Sequence, residues 1–350
     1  MSKRLKTKLQ SRLTYEKFYA AFLRASKSRS HHPAIVKFKR NLTSNLGYIM
    51  DVVGQGEYKV SPYNVFEIYD PKQRIIKSLP IEDRILHQWL VEEFIKPYYV
   101  PRFIDDTYAC LEHRGNHAAA YRIQAYMRKM YASYGKYYIL KMDISKFFYR
   151  IDKDILFGII KKSVTDPALL QLIYNVIYDD ETEKVGIPIG NYTSQYFANI
   201  YLNELDQYCK RVLKIKYYVR YMDDFIALAP NRQTAKLWYD AMQKFVETKL
   251  NLTLNPKSKY FPSGHALEFV GYKIFETRML LRKRSKRKFN DLMKTYASGL
   301  INYAELEQKF TAWYGQAGHA DSSGYVKKGL AKNQLMLDLF DRLSSKRSHL

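Results

Sequence analysis

Three carboxylates carry the chemistry in this sequence. Asp223 and Asp224 stand side by side in YYVRYMDDFIALA, residues 217–229, with apolar side chains before and after them. The third, Asp143, lies in YYILKMDIS at 137–145, 80 residues earlier. In a strand, adjacent side chains point to opposite faces, so one-sided burial would spare only one of the pair. An unpaired carboxylate in apolar surroundings is costly. Asp is also common at the tip of a type I′ hairpin turn, and a bare DD would read as no more than that. The second strand-end aspartate shifts the reading. If the two strands share an antiparallel sheet, their ends can converge, and three clustered carboxylates need cations among them. Such oxygen ligands suit Mg²⁺. Two such ions about 3.5–4 Å apart are a recurring device for in-line phosphoryl transfer. One lowers the pKa of the attacking hydroxyl, and the other stabilises the leaving pyrophosphate.

The elements that must position these residues show in the periodicity. Residues 13–50 read as helical, with Tyr15, Phe18, Phe22 and Leu23 at helical spacing. NVFEIYD at 64–70 alternates like a strand before Pro71. Pro80 stands near the start of a helix over 80–97, with Ile85, Trp89, Leu90 and Phe94 along one face. Helices are also expected over 116–134, 153–177, about 193–213 and 232–250, and Thr193 or Ser194 can cap the third of these. YYILKMDIS is a strand, GIPIG at 186–190 a turn, YYVRYMDDFIALA a hairpin, and LEFVGYKIF at 267–275 a strand. From 285 the chain reads as mostly helical, with Trp313 and a Gly-containing turn near 315–318. This order suggests an α+β domain flanked by two helical or mixed lobes.

Composition bounds the partners. The 350 residues are 47% hydrophobic, enough for two or three subdomains and a sizeable core. No uncharged apolar run approaches a membrane span, and MSKRLKTKLQSRL has no apolar segment behind it, so neither a membrane partner nor a secretory leader is expected. Cys110 and Cys209 have no metal-type spacing and read as buried thiols in a reducing cytoplasm. Lys and Arg number 58 against 34 Asp and Glu, a net charge of +24. That excess points to a polyanion, nucleic acid before membrane. The densest basic run is LLRKRSKRKF at 280–289.

An ordered set of motifs then resembles the reverse transcriptases. YMDD at 221–224 looks like their catalytic motif, and KMDISKFFYRID at 141–152 like the motif with the other catalytic aspartate. IPIGNYTSQYFANIYLNELD resembles the motif and helix under the templating base and incoming nucleotide. DPKQRIIKSLPIEDRILHQWL at 70–90 resembles the fingers motifs, and LEFVGYKIF the primer grip. The resemblance implies a right-hand polymerase. N-terminal helices and fingers would occupy 1–135. The palm, an antiparallel sheet with packed helices, would occupy 136–275, with finger/palm helices inserted at 153–185. A basic helical thumb would occupy 276–350. The chain past the palm has room for a thumb but not for the endonuclease domain of many intron-encoded relatives.

Most reverse transcriptases carry Gln-Gly and then Ser-Pro in the third motif. Here Ile189-Gly190 and Ser194-Gln195 stand there, similar to the enzymes of diversity-generating retroelements. TYAC at 107–110, Gly115 with His117, and FTAWYGQAGHAD look like that group too, whereas Leu111 replaces its usual arginine. An antiphage-defence enzyme copying a dedicated non-coding RNA stays open beside the retroelement reading. So does a non-catalytic RNA-binding protein on a polymerase scaffold.

The resemblance also implies roles. Asp143 and Asp223 bridge two Mg²⁺ ions, for which Mn²⁺ can substitute, with the Ile144 carbonyl as a further ligand and Asp224 in support. Lys72 and Arg74 close onto the triphosphate. Phe148 is the steric gate against a ribose 2′-hydroxyl. Ile189 replaces a glutamine that hydrogen-bonds near the nucleotide, Gly190 permits close backbone approach, and Gln195 belongs to the same site. Lys257 or Lys259 protonates pyrophosphate. Arg114, His117, Tyr221, Met222 and Gly271 touch template or primer, while Arg282, Lys283, Arg284, Lys286 and Arg287 track the duplex. The implied partners are an RNA template, dNTPs and the DNA product. A structured non-coding RNA and a small accessory protein or second copy of the chain join them.

Overall fold

This α+β chain combines helices throughout with short antiparallel strand pairs. The computed structural model describes residues 4–69, 73–180, 182–331 and 334–345. Two compact units emerge, one from residues 1–111, 142–214 and 240–258, the other from 112–141, 215–239 and 259–350.

The first unit is built on aromatic helix packing. Helix Tyr15–Ser26 lies against Ile81–Leu90, where Phe18 stacks on Trp89 at 4.7 Å and Trp89 Nε1 donates to the Arg12 carbonyl at 3.0 Å. Residues 13–50 contain three helices, Tyr15–Ser26, Pro33–Arg40 and Leu42–Gly54. The helix expected over 80–97 is α-helical only to Leu90 and widens to a π turn over Val91–Ile95. Pro97 follows, and it has no N–H to donate four residues back. Residues 153–177 form two helices, not one: Lys153–Lys161 and Pro167–Ile177. Asp166 caps the second by accepting from Leu169 N at 3.3 Å, and Pro167 opens it, a favoured start pair.

The helix under the third motif runs Tyr192–Gln207 and continues as a π segment over Tyr208–Val212. Neither Thr193 nor Ser194 caps it. Both are buried in its first turn, and Asn191 holds the cap position. Thr193 Oγ1 instead pairs with His87 Nδ1 at 3.0 Å. Burial pushes the His87 imidazole down to about 4, so the ring is neutral near pH 7. Strands β1 (Asn64–Ile68) and β2 (Arg74–Ser78) form an antiparallel ribbon, with Val65 opposite Lys77.

The second unit holds a four-stranded sheet in the order β4-β5-β3-β6. Its strands are β3 (Tyr138–Asp143), β4 (Tyr218–Tyr221), β5 (Asp224–Ala229) and β6 (Lys259–Pro262). β4 pairs antiparallel with β5, and β3 with β6. Ile139, Leu140, Met142 and all of 225–229 are buried, and helix Asn116–Tyr134 packs on β4 and β5. LEFVGYKIF, expected as one strand, is a hairpin of β7 (Leu267–Phe269) and β8 (Tyr272–Ile274). Its two-residue turn has Val270 at φ 39° and Gly271 at φ 95°. Two left-handed residues match the twist of the flanking strands. β9 (Met279–Leu281) completes that sheet.

Helix Lys283–Ala297 buries Ser285 and Phe289 and exposes Lys283, Arg284, Arg287 and Lys288. Phe289 stacks on Trp313 at 4.7 Å. Trp313 lies in helix Tyr303–Ala317, which starts with an Asn302/Glu305 capping box. The turn expected near 315–318 is helical to Ala317 and closes at Gly318. Cys209 is buried, but Cys110 is exposed, contrary to the expectation of two buried thiols. Among the described residues no helix is long and apolar enough to cross a membrane.

Candidate active site

Asp143 ends β3, and its surroundings in the first unit come from the segment 251–258. Asn255 Nδ2 donates to its carboxylate at 3.0 Å, and Asn255 N to its carbonyl at 2.7 Å. Asp143 N donates to Ser258 Oγ at 3.1 Å. Ile144 forms an isolated antiparallel bridge with Leu254. The flanking residues make that bridge's hydrogen bonds, Ser145 N to Thr253 O and Asn255 N to Asp143 O. The Ile144 carbonyl is therefore turned away from the 253–255 segment.

In the second unit, β4 and β5 meet through the two-residue turn Met222–Asp223, with Tyr221 opposite Asp224. Met222 is left-handed at φ 55°, which costs a non-glycine residue roughly 1–2 kcal/mol. Its carbonyl accepts from Arg220 Nη1 at 3.0 Å. Arg220 is 0% exposed, so a buried guanidinium braces the turn from behind. Asp224 pairs with Lys141 Nζ at 2.8 Å. Lys141 lies on β3, two residues before Asp143 and on the same strand face. The adjacent aspartates are thus different groups: Asp224 is a strand residue in an ion pair, and Asp223 ends a strained turn. Among the described residues no three His, Cys, Asp or Glu side chains form a ready metal cage.

In the first unit, the loop over 187–191 abuts β2. Lys77 N donates to the Ile189 carbonyl at 3.1 Å. Gly190 sits at φ 122°, and a Cβ there would lie 3.1 Å from the Lys77 carbonyl oxygen and 3.2 Å from Ile76 Cγ2. The ribbon alone therefore demands glycine at this position. Phe147 is buried while Phe148 beside it is half-exposed, and the Phe148 carbonyl accepts from Ile187 N at 2.8 Å. Tyr149 Oη accepts from Ile75 N at 3.2 Å. Arg74 is exposed at the start of β2, and Lys72 lies outside the described residues. Gln195, Asn191, Gly190, Ile76 and His87 line part of a cleft of about 720 Å³.

Residues 70–274, more than half of the chain, match the family of reverse transcriptases, RNA-dependent DNA polymerases. The chain belongs to the reverse transcriptase family. It is 24% identical over 190 residues to the uncharacterized mitochondrial protein ymf11 of Marchantia polymorpha, which covers 54% of this chain and 23% of that protein. A telomerase from Candida tropicalis, solved with a TWJ fragment of telomeric RNA, aligns at a TM-score of 0.51 and 15% identity. That alignment covers 77% of this chain and 55% of the telomerase, and it shows a shared fold. A Candida albicans telomerase aligns at a TM-score of 0.48 and 12% identity, over 81% of this chain and 60% of that one. The chain thus spans under a quarter of the curated relative and little more than half of the first telomerase.

Both aspartate strings of the chain lie inside the matched span, on the β4–β5 turn and at the end of β3. Lys257 is exposed in the turn before β6, its N–H on Asn255 Oδ1 at 3.0 Å. Lys259 is on β6, with Nζ 5.7 Å from the Phe261 ring centroid. Tyr221 and Met222 are half-buried. Gly271 faces the Gln316 side chain. Arg114 and His117 are half-buried, and His117 Nδ1 lies 2.7 Å from Tyr272 Oη with its ring stacked on His319 at 3.7 Å. Arg282 Nε donates to the Tyr272 carbonyl at 3.4 Å, and Lys286 Nζ lies 5.0 Å from the Tyr325 ring centroid.

Sequence reasoning passed over Arg220, Lys141, Asn255 and Ser258. Arg220 carried a signal, a lone cation inside an apolar strand. Lys141 is two residues from Asp143, on the same strand face. Asn255-Pro256 is a turn dipeptide. Ser258 had no signal of its own.

Proposed function

We propose that the chain is an RNA-directed DNA polymerase that copies RNA into cDNA by two-metal nucleotidyl transfer at Asp143 and Asp223. The observation that carries this reading is the asymmetry of the aspartates within a reverse transcriptase span. Asp143 is tethered by Asn255 and Ser258, and Asp224 is ion-paired, while Asp223 ends the strained turn. The donor set, two carboxylates and the Ile144 carbonyl, is all oxygen and fits Mg²⁺. When bound, two such ions supply activation of the primer hydroxyl and charge neutralisation at the leaving pyrophosphate.

The chain's own residues do the rest. Asn255 orients the Asp143 carboxylate, and Arg220 holds the turn that presents Asp223. Arg74 binds triphosphate, and Lys257 or Lys259 delivers a proton to the departing pyrophosphate. The basic thumb helix follows the duplex backbone. Extension of a DNA primer on an RNA template with Mg²⁺ tests this directly. Wild type should extend the primer and Asp223→Ala should not, and equal synthesis by both would overturn the reading.

Phe148 supports sugar selection, because Phe147 takes the core position and leaves the neighbouring ring half-exposed. Phe148→Val should raise ribonucleotide use relative to dNTPs by about 10- to 100-fold, the reach of one apolar contact. Competition of rNTP against dNTP in single-nucleotide extension measures it, and an unchanged ratio would remove Phe148 from that role.

The finer reading is error-prone copying in a diversity-generating retroelement, supported by Ile189 where relatives carry glutamine. An aliphatic side chain gives no hydrogen bond near the nucleotide, so base selection relaxes. Ile189→Gln is expected to lower misincorporation by up to about tenfold. Sequenced extension products that keep the wild-type error spectrum would count against it.

A further inference from the structure

We infer that a relay built on a buried ion pair, Lys153–Asp179–Tyr63–Asn191, fixes the loop that carries Ile189 and Gly190, making Tyr63 and Asp179 positioning residues for dNTP selection. The inference rests on the proposed role of Ile189 and Gly190 at the nucleotide.

The relay converges on the Asp179 carboxylate from two sides. Lys153 Nζ donates to Asp179 Oδ1 at 2.9 Å, in an ion pair whose side chains are 1% and 3% exposed. Tyr63 Oη donates to Asp179 Oδ2 at 2.7 Å. Burial, and then the Asp179 charge, hold the Tyr63 phenol far above the ordinary range, so it stays protonated. Its single proton goes to Asp179, and its oxygen can only accept. Asn191 Nδ2 donates to that oxygen at 3.1 Å. Every donor points toward the Asp179 carboxylate, the arrangement in which charge-assisted hydrogen bonds reinforce one another.

Four distant segments meet here: the stem of the β1–β2 ribbon, helix Lys153–Lys161, the turn after helix Pro167–Ile177, and the start of helix Tyr192–Gln207. Asn191 is the N-cap of that last helix, yet its side chain makes no capping bond. Its side-chain oxygen caps nothing, and its amide nitrogen donates to Tyr63. The loop it ends is already wedged against β2 by Gly190 and by the Lys77 N–H on the Ile189 carbonyl. Lys77 Nζ also lies 5.7 Å from the Tyr63 ring centroid. A buried ion pair adds little stability over an apolar pair of the same volume. The geometry it fixes is the better reason for this one: ribbon and loop move together, and the backbone at Ile189-Gly190 has one position.

Two mild substitutions in the full chain test it. Tyr63→Phe deletes one oxygen and keeps the ring, and Asn191→Ala removes the last donor. Each should raise the dNTP KM about three- to tenfold, the scale of one lost hydrogen bond, with primer–template affinity unchanged. The double variant should be no worse than the worse single, because the link is already broken. Hydrogen exchange at the Lys77 amide should quicken in all three. Additive KM effects would overturn the relay, as would a lowered Tm with unchanged KM. Asp223→Ala in the same series separates the two ideas. If it still polymerises, the catalytic reading fails. If it is inactive while Tyr63→Phe keeps a wild-type KM, only the relay fails.

Discussion

Asp223→Asn should cut primer extension on an RNA template by about 10²–10³-fold or more, while Asp224→Asn should leave a measurable rate. Both substitutions preserve shape and remove one charge, so any difference reports the charge's role. Asp224 is a strand residue whose charge faces Lys141 at 2.8 Å, with both side chains about a quarter exposed. An ion pair that open to solvent contributes roughly 0–1 kcal/mol, so the folded state should tolerate the change. The rate should fall about tenfold, because a lysine two residues from Asp143 loses its partner and adds uncompensated positive charge near a site proposed to hold cations. Asp223 belongs to the braced turn, and its charge is the one proposed to meet the metals. Single-turnover extension at saturating dNTP, with Tm as a control, separates the two. The reverse order, with Asp224→Asn inactive and Asp223→Asn active, would reassign the catalytic aspartate.

The elements legible in the sequence were those with an undisturbed period. Helices over 116–134 and 232–250 match the structure at both ends, because no proline or internal turn pair interrupts them. The misread stretches each contain a local competitor. Asp166-Pro167 starts a new helix, Pro97 opens the turn before it, and Val270-Gly271 folds an apparently continuous strand in two. Those signals were in the sequence and were outvoted by hydrophobic periodicity. β6 had less to offer, four residues with a half-exposed and exposed pattern and a proline at the end.

The candidate site divides the same way. Asp143 and the Asp223-Asp224 pair stood out because carboxylates are expensive in apolar strands. The groups that hold them did not. Asn255 and Ser258 act through chain segments more than 100 residues away from Asp143, and sequence spacing carries no record of that contact. Gly190 was legible as a close approach, but the approaching group in the structure is the β2 backbone. Thr193 looked like a cap because caps are local. Its hydroxyl is instead spent on His87, 106 positions away.

Arg220→Ala is expected to cost about 3–5 kcal/mol of stability and to remove synthesis with it. Arg220 is among the largest fully buried side chains of the chain, so truncation leaves a cavity beneath the sheet. It also takes the Nη1 donor from the Met222 carbonyl, in a turn that already holds a left-handed methionine. Nothing in the intrinsic preference of Met keeps φ near 55°, so the turn should relax toward ordinary backbone once its brace is gone. Arg220→Met separates packing from bracing. It refills most of the volume and should regain part of the stability in urea unfolding, but it offers no donor to the turn. Its extension rate should therefore stay near that of Arg220→Ala. If Arg220→Met recovered stability and synthesis together, packing alone would account for the arginine, and the turn beneath Asp223 would need no brace.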